Sequence, residues 1–284
     1  MKKKIMSLLF ILFFLIFIGV IDYPYIAQMV NDYKESAVVV DLGRQTANQS
    51  KEEKAQSLEA ARSYNQTLAT GLSMEREVPF ATSTENDPYY LSIMDIQEDG
   101  LMASIEIPKI DVILPIYHGV SAEVLNKGAG HLEGSSLPVG GESTHACIAA
   151  HRGLSTKRLF TDLDQLEAGD VFFIEVLNNK LTYQVYDVEV VLPDEVESLN
   201  IQQGEDLITL ITCTPYGSNT HRLYVHGIRI PNEEVQEASV EKASEMGFWQ
   251  QYWWVVLTIV LLAWMLFLLY LVNRSPGKRR KKSN

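Results

Sequence analysis

The chain has 284 residues, enough for one sizeable domain with extensions or at most two small ones. Its 24 Lys and Arg against 36 Asp and Glu give a net charge of −12, and nine of the cations sit at the two ends, at Lys2 to Lys4 and between Arg274 and Lys282. With those set aside, 15 cations face 36 acids, about −21, which argues against nucleic acid or an anionic membrane surface as a partner of the middle of the chain.

Residues 5–21 (IMSLLFILFFLIFIGVI) carry no charge, and neither do residues 252–272 (YWWVVLTIVLLAWMLFLLYLV). Each run reaches or nearly reaches the length that crosses about 30 Å of hydrocarbon as a helix. Trp249, Tyr252, Trp253 and Trp254 fall where an outer aromatic belt would lie. Both flanks are basic, so the positive-inside rule puts both termini in the cytoplasm and residues 23–250 outside the cell membrane. The first run also has the make-up of a cleaved signal peptide. Asp22-Tyr23-Pro24 follows it without an A-x-A site, however, which favours a retained anchor over residues 1–24.

Residues 25–77 are polar and rich in helix formers, most clearly KEEKAQSLEAARSYNQTLA, and read as a membrane-proximal helical region. Residues 78–99 lack periodicity and contain Pro79, Pro88 and a Ser/Thr/Asn/Asp cluster, the composition of a loop. From there the pattern is one of short strands: MASIEI, VILPIY, ACIAAH, VFFIEV, LTYQVYDVEVV, LITLITC and RLYVHGIRI. Seven or eight such strands with few long helices predict an all-β, closed antiparallel barrel over 100–231. A hairpin turn is expected at Leu177-Asn178-Asn179-Lys180, and a short helical crossover at 156–168. An acidic linker (232–250), the second apolar helix (251–273) and a basic tail (274–284) complete the order.

Two cysteines, Cys147 and Cys213, are too few for a disulfide framework. Alternation from Leu207 puts Thr209, Ile211 and Cys213 on one strand face. Thr214-Pro215-Tyr216-Gly217 then breaks the strand, and Arg222 opens the next one. If the two strands are antiparallel neighbours, Arg222 lies beside Cys213, where a guanidinium favours thiolate and can stabilise an anionic oxygen. Taken alone, Cys213 is better read as an ordinary buried strand cysteine. A nucleophilic thiol needs a proton-transfer partner, and six histidines are available: His118, His131, His145, His151, His221 and His226. No pair has metal spacing, and the cysteines offer no zinc pattern. His151 ends the ACIAAH strand before a glycine turn, while His221 precedes Arg222 and faces the opposite side. Spacing alone does not choose between them.

The segments TLITC and PYGSNTHR resemble the sortase signature, and AAHRGL resembles the sortase histidine motif. The likeness continues through IEIPKIDVILPIYHG, GAGHLEGSSLPVGGEST and RLFTDLDQLEAGD, so that residues 101–231 are similar throughout to the pilin-polymerising class C sortases. Ala149-Ala150 stands where that family usually has Thr-Gly or a similar small pair. The resemblance implies an eight-stranded sortase barrel and a cysteine transpeptidase that cuts LPxTG-like signals of pilin subunits between Thr and Gly. Cys213 would be the nucleophile, His151 the acid/base and Arg222 the oxyanion partner, with no metal or organic cofactor. Cys147 reads as core filling. The resemblance also implies a lid upstream of the barrel, with Asp87 of the Asp87-Pro88-Tyr89 triplet paired to Arg222 and Tyr89 covering Cys213. Two anchors fit this class better than single-anchored sortases, and no LPxTG-like motif precedes the second anchor, so the chain reads as the enzyme. A papain-like protease lacks its sequence signature here. A non-catalytic surface adhesin is the remaining alternative, one that would function normally without Cys213.

Overall fold

The computed structural model describes residues 2–71, 87–96, 98–232 and 253–270. They divide into two compact units, one formed by residues 1–27 with 248–284 and the other by residues 28–247.

In the first unit, the apolar N-terminal run forms the beginning of a helix, α1 (Lys2–Asn48). The described part of the C-terminal run is also helical, α5 (Trp253–Tyr270). Both are long and apolar enough to cross a membrane, with mean hydropathies of 2.8 and 2.3 over their most apolar windows. Thr258 donates a 2.9 Å hydrogen bond to Asp22, and Tyr25 packs on Trp253 and Trp254. A polar side chain in an apolar helix pair needs such a partner. Residues 251, 252 and 271–284, and the expected linker from residue 233 on, lie outside the described residues.

The second unit begins within α1. Ser50 starts α2 (Lys51–Ala69) with a capping box: its hydroxyl accepts from the Glu53 amide while the Glu53 carboxylate accepts from the Ser50 amide. Ala61, Tyr64, Asn65 and Leu68 are the buried face of α2. Asn65 fixes its position by accepting from the Leu137 amide at 2.7 Å and donating to the Leu137 carbonyl at 3.0 Å. A short helix, α3 (Pro88–Ser92), precedes the barrel.

Eight strands follow, β1 (Leu101–Ile107), β2 (Val112–His118), β3 (Ala129–His131), β4 (Thr144–Ala149), β5 (Val171–Val176), β6 (Asn179–Val191), β7 (Asp206–Thr214) and β8 (His221–Ile230), with α4 (Ala122–Lys127) between β2 and β3. They close in the order β1-β2-β3-β4-β7-β8-β6-β5. The pairs β2–β3 and β4–β7 are parallel and the rest antiparallel. The closed barrel is therefore mixed, where an antiparallel one was expected. The seven expected strands are all present, and β3, only three residues long, is the addition.

Period-2 alternation divides the wall into two faces. Ala146, Ile148, Ile208, Leu210, Leu223 and Val225 join residues from the other strands in the main core. The intervening residues Cys147, Ala149, Ile211 and Tyr224 belong to a second cluster, with Val120, Leu125, Leu132 and Leu199 packed over them from the connecting segments. This second face carries the site.

Two local expectations are corrected. The hairpin turn is centred one residue earlier, with positive φ at Leu177 (48°) and Asn178 (61°). Leu177 is buried in the main core, and that burial offsets the cost of left-handed backbone for a branched residue. The crossover at 156–168 is mostly turns, its only helical piece being a 3-10 turn at Leu163–Gln165. Its residues are held by outside partners: Asn31 of α1 donates to the Thr156 carbonyl at 2.7 Å, and Lys157 pairs with Glu35 at 2.8 Å.

Candidate active site

Strand β7 delivers Cys213 on the second face, one residue before the strand ends at Thr214. In the antiparallel β7–β8 ladder Cys213 stands directly opposite Arg222, and Thr214 opposite His221. Side chains at directly opposed positions lie about 5 Å apart at Cβ. The loop between the strands also holds the guanidinium, because Arg222 Nη1 donates to the carbonyls of Asn219 at 3.3 Å and His221 at 3.1 Å.

His151 comes from the other side of β7. The parallel β4–β7 register runs from Thr144↔Asp206 to Ala149↔Ile211, and the Ala150 amide continues it by donating to the Ile211 carbonyl at 3.1 Å. Two residues on from the last pair, His151 is level with Cys213. The residues on either side confirm this alignment, since the Thr212 hydroxyl donates to the Ala150 carbonyl at 2.8 Å and Arg152 Nη1 donates to the Thr214 hydroxyl at 3.0 Å. Alternation after Cys147 and Ala149 puts His151 on the face of Cys213. Three neighbouring chain segments thus carry His151, Cys213 and Arg222 at one level of the barrel wall.

The electrostatics favour neutral partners at rest. Burial pushes the Cys213 thiol up from its ordinary value, and the nearby Arg222 cation only partly opposes this. Burial likewise holds His151 below the usual imidazole value. A thiol next to an uncharged imidazole can pass its proton to that ring when a carbonyl approaches, and Arg222 is placed to meet the oxygen that becomes negative.

The remaining histidines are otherwise engaged. His118 lies within 2.9 Å of the Gly100 and Ile93 carbonyls, and His131 within 2.8 Å of the Tyr90 hydroxyl and the Ser136 carbonyl. His145 and His226 share the Thr209 hydroxyl at 2.7 Å, and His226 reaches Glu189 at 3.0 Å. His221 contacts the Thr220 hydroxyl and sits one register position away from Cys213. Cys147 is fully buried in the second cluster and forms no disulfide with Cys213. Among the described residues no group of His, Cys, Asp and Glu is arranged to hold a metal ion.

Asp87 has other partners than the expected one. The Asp87 carboxylate accepts from the Tyr89 amide at 3.0 Å as the cap of α3, and the Asp87 amide donates to Glu133 at 2.9 Å. No Asp87–Arg222 ion pair occurs among the described residues. A cap two residues away costs almost no chain entropy, whereas a pair with Arg222 would have to be reached across the fold. Tyr89 leaves 55% of its surface open, while its neighbour Tyr90 is fully buried against His118 and His131. Tyr90, not Tyr89, is the anchoring aromatic of the triplet region. Residues 78–86 of the expected lid, and residue 97, lie outside the described residues.

The sortase domain family matches residues 105–230. The chain is similar to sortase A of Streptococcus agalactiae, 27% identical over 215 residues that make up 75% of this chain and 77% of that protein. Among solved structures, sortase C-1 from Actinomyces oris is 48% identical with a TM-score of 0.59, the match covering 63% of this chain and 99% of that one. Sortase C of Streptococcus pneumoniae, whose structure is described as informing catalysis and pilin substrate specificity, is 39% identical with a TM-score of 0.63. That match covers 69% of this chain and 97% of the other.

Proposed function

We propose, since this chain belongs to the sortase family, that it is a cysteine transpeptidase joining pilin subunits through LPxTG-like sorting signals. The observation that carries the reading is the register that sets Arg222 opposite Cys213, with His151 level on the other flank.

In the proposed reaction Cys213 Sγ attacks the Thr carbonyl of the signal while His151 accepts the thiol proton. The carbonyl oxygen becomes an oxyanion facing the Arg222 guanidinium. Collapse breaks the Thr–Gly bond, the imidazolium of His151 gives its proton to the leaving amine, and a thioester to Cys213 remains. A pilin lysine amine then attacks the thioester. His151 takes the proton of that amine, and the sulfur leaves and is reprotonated. The pilin acceptor is supported by the 39–48% identity to sortases C, against 27–32% to sortases A. The basic flanks and apolar helices support a membrane protein with both termini cytoplasmic and the barrel outside.

The test is pilin assembly in cells that carry this protein as their only pilin sortase. The wild-type chain should yield covalent pilin ladders, and the Cys213→Ala and His151→Ala chains none. With purified protein and a sorting-signal peptide, Arg222→Ala should lose roughly a hundredfold or more in turnover, about 3 kcal/mol. Arg222→Lys should recover only part of that, because it lacks the planar fork. Single pilins attached to peptidoglycan without ladders would replace this reading with a housekeeping role.

A further inference from the structure

The backbone pairing of β4 with β7 ends with the bond from the Ala150 amide to the Ile211 carbonyl, so His151 lies beyond the ladder. Gly153, at φ +86°, turns the chain away immediately afterwards. A residue at such a strand end is free to swing unless side chains hold it.

Here the pairing is prolonged by side chains in the same register. Strand residues pair at an offset of 62, as in Ala149↔Ile211. Ala150 with Thr212 and Arg152 with Thr214 keep that offset, through the 2.8 Å and 3.0 Å hydrogen bonds described above. One residue further, the ring of Tyr216 lies 2.8 Å from where a Cβ on Gly153 would be, so only glycine admits that contact. The two neighbours of His151 are thereby fastened to the two neighbours of Cys213.

Arg152 does most of this fastening. Its side chain is only 8% exposed, and its guanidinium reaches three separate places. Nη1 donates to the Thr214 hydroxyl, Nε to the Thr161 carbonyl at 3.0 Å, and Nη2 to the Asp164 carboxylate. The Gly153 amide adds a bond to the Thr161 hydroxyl at 3.2 Å, and the Phe160 amide one to the His151 carbonyl at 3.1 Å. Thr214, the partner of Arg152, follows Cys213 in β7 and faces the other side of that strand, so the Arg152 head group lies away from the reacting atoms.

We propose that Arg152 is a positioning residue, which sets the height of His151 against Cys213 by clamping the strand end of β7 through Thr214. The inference rests on the catalytic reading of His151 and Cys213 given above. A planar fork with three acceptors at fixed angles holds one geometry, which an ammonium cannot do. Displacement of a catalytic group by about 1 Å costs on the order of a hundredfold in rate.

The test is peptide cleavage by the full-length protein in detergent, with Arg152→Lys, Thr214→Val and the double variant. Each single variant should lower kcat roughly ten- to hundredfold and leave KM within about twofold. The double variant should be little worse than Arg152→Lys alone, because both changes remove one contact. The limb of the pH–rate profile that depends on His151 should shift or flatten in both. Melting temperature measured alongside identifies a variant that has simply unfolded, and Thr214→Ser, which keeps the hydroxyl, should restore kcat. A Thr214→Val enzyme with wild-type kcat, or strictly multiplicative losses in the double variant, would overturn the proposal. If His151→Ala itself cleaves normally, the catalytic reading fails instead, and the two failures are told apart within one set of assays.

Discussion

At the scale of single residues, the decisive balance is at Cys213, where burial raises the thiol and the facing Arg222 lowers it, with burial the larger effect. The Cys213 thiol therefore stays mostly protonated at neutral pH, and its reactivity with a small alkylating reagent should climb with pH beyond neutrality without a plateau near pH 7. Removing the cation removes an opposing influence, so Arg222→Ala should slow alkylation at any fixed pH in that range. An unchanged rate would mean that the guanidinium does not sense the sulfur. Asp87 allows a second test. Its carboxylate caps α3 and does not meet Arg222, so Asp87→Ala should cost about 1 kcal/mol of local stability and leave the alkylation rate of Cys213 unchanged. Faster alkylation in that variant would restore a gating role. The approach of Cys213 and Arg222 was legible because a strand, a breaking loop and a strand imply a hairpin-like return. The place of Asp87 was not, because an Asp before Pro serves equally as a local cap or as a distant ion-pair partner, and only tertiary contacts such as Glu133 decide.

Among the elements, α2 docks through the apolar side chains of Ala61, Tyr64 and Leu68 and through one polar side chain. Asn65 is 3% exposed and satisfies both backbone groups of Leu137. Asn65→Ala would leave the buried Leu137 amide unbonded, while the Leu137 carbonyl keeps its 2.8 Å bond from the Val139 amide, a loss of about 2 kcal/mol, visible as a lowered midpoint in denaturant unfolding with an unchanged m-value. A loss below about 0.5 kcal/mol would show that water replaces the bond to the amide. The strands with alternating or continuous apolar runs were readable from sequence, and their ends agreed to within a residue or two. Strand β3 was not, since Ala129-Gly130-His131 carries no β-branched or aromatic signal and is a strand only because β2 and β4 flank it. The same holds for the parallel β4–β7 pairing, on which the placing of His151 depends. Nothing local in ACIAAH or LITLITC names its neighbour, and the order along the chain suggests nothing about it. The crossover after His151 reads as helical by composition, but Asn31 and Glu35 of α1 hold it in turns.

For the whole molecule, a barrel with its site on one outer face is combined with two apolar helices that fit membrane anchoring. In the proposed orientation that arrangement would keep the enzyme at the surface where its substrates emerge, and the excess of acids over cations would favour a soluble barrel there. Protease added to intact cells should digest the barrel and spare the basic tail, and the reverse pattern would invert the proposed orientation. The central claim, that Cys213 is acylated by a sorting signal, is tested most directly by intact-protein mass spectrometry of the protein mixed with an LPxTG-containing pilin peptide. The wild-type chain and Cys147→Ala should both gain the mass of the peptide up to its Thr, in a hydroxylamine-sensitive adduct mapped to Cys213, and Cys213→Ala should gain nothing. An adduct on another residue, or one that persists in Cys213→Ala, would contradict it.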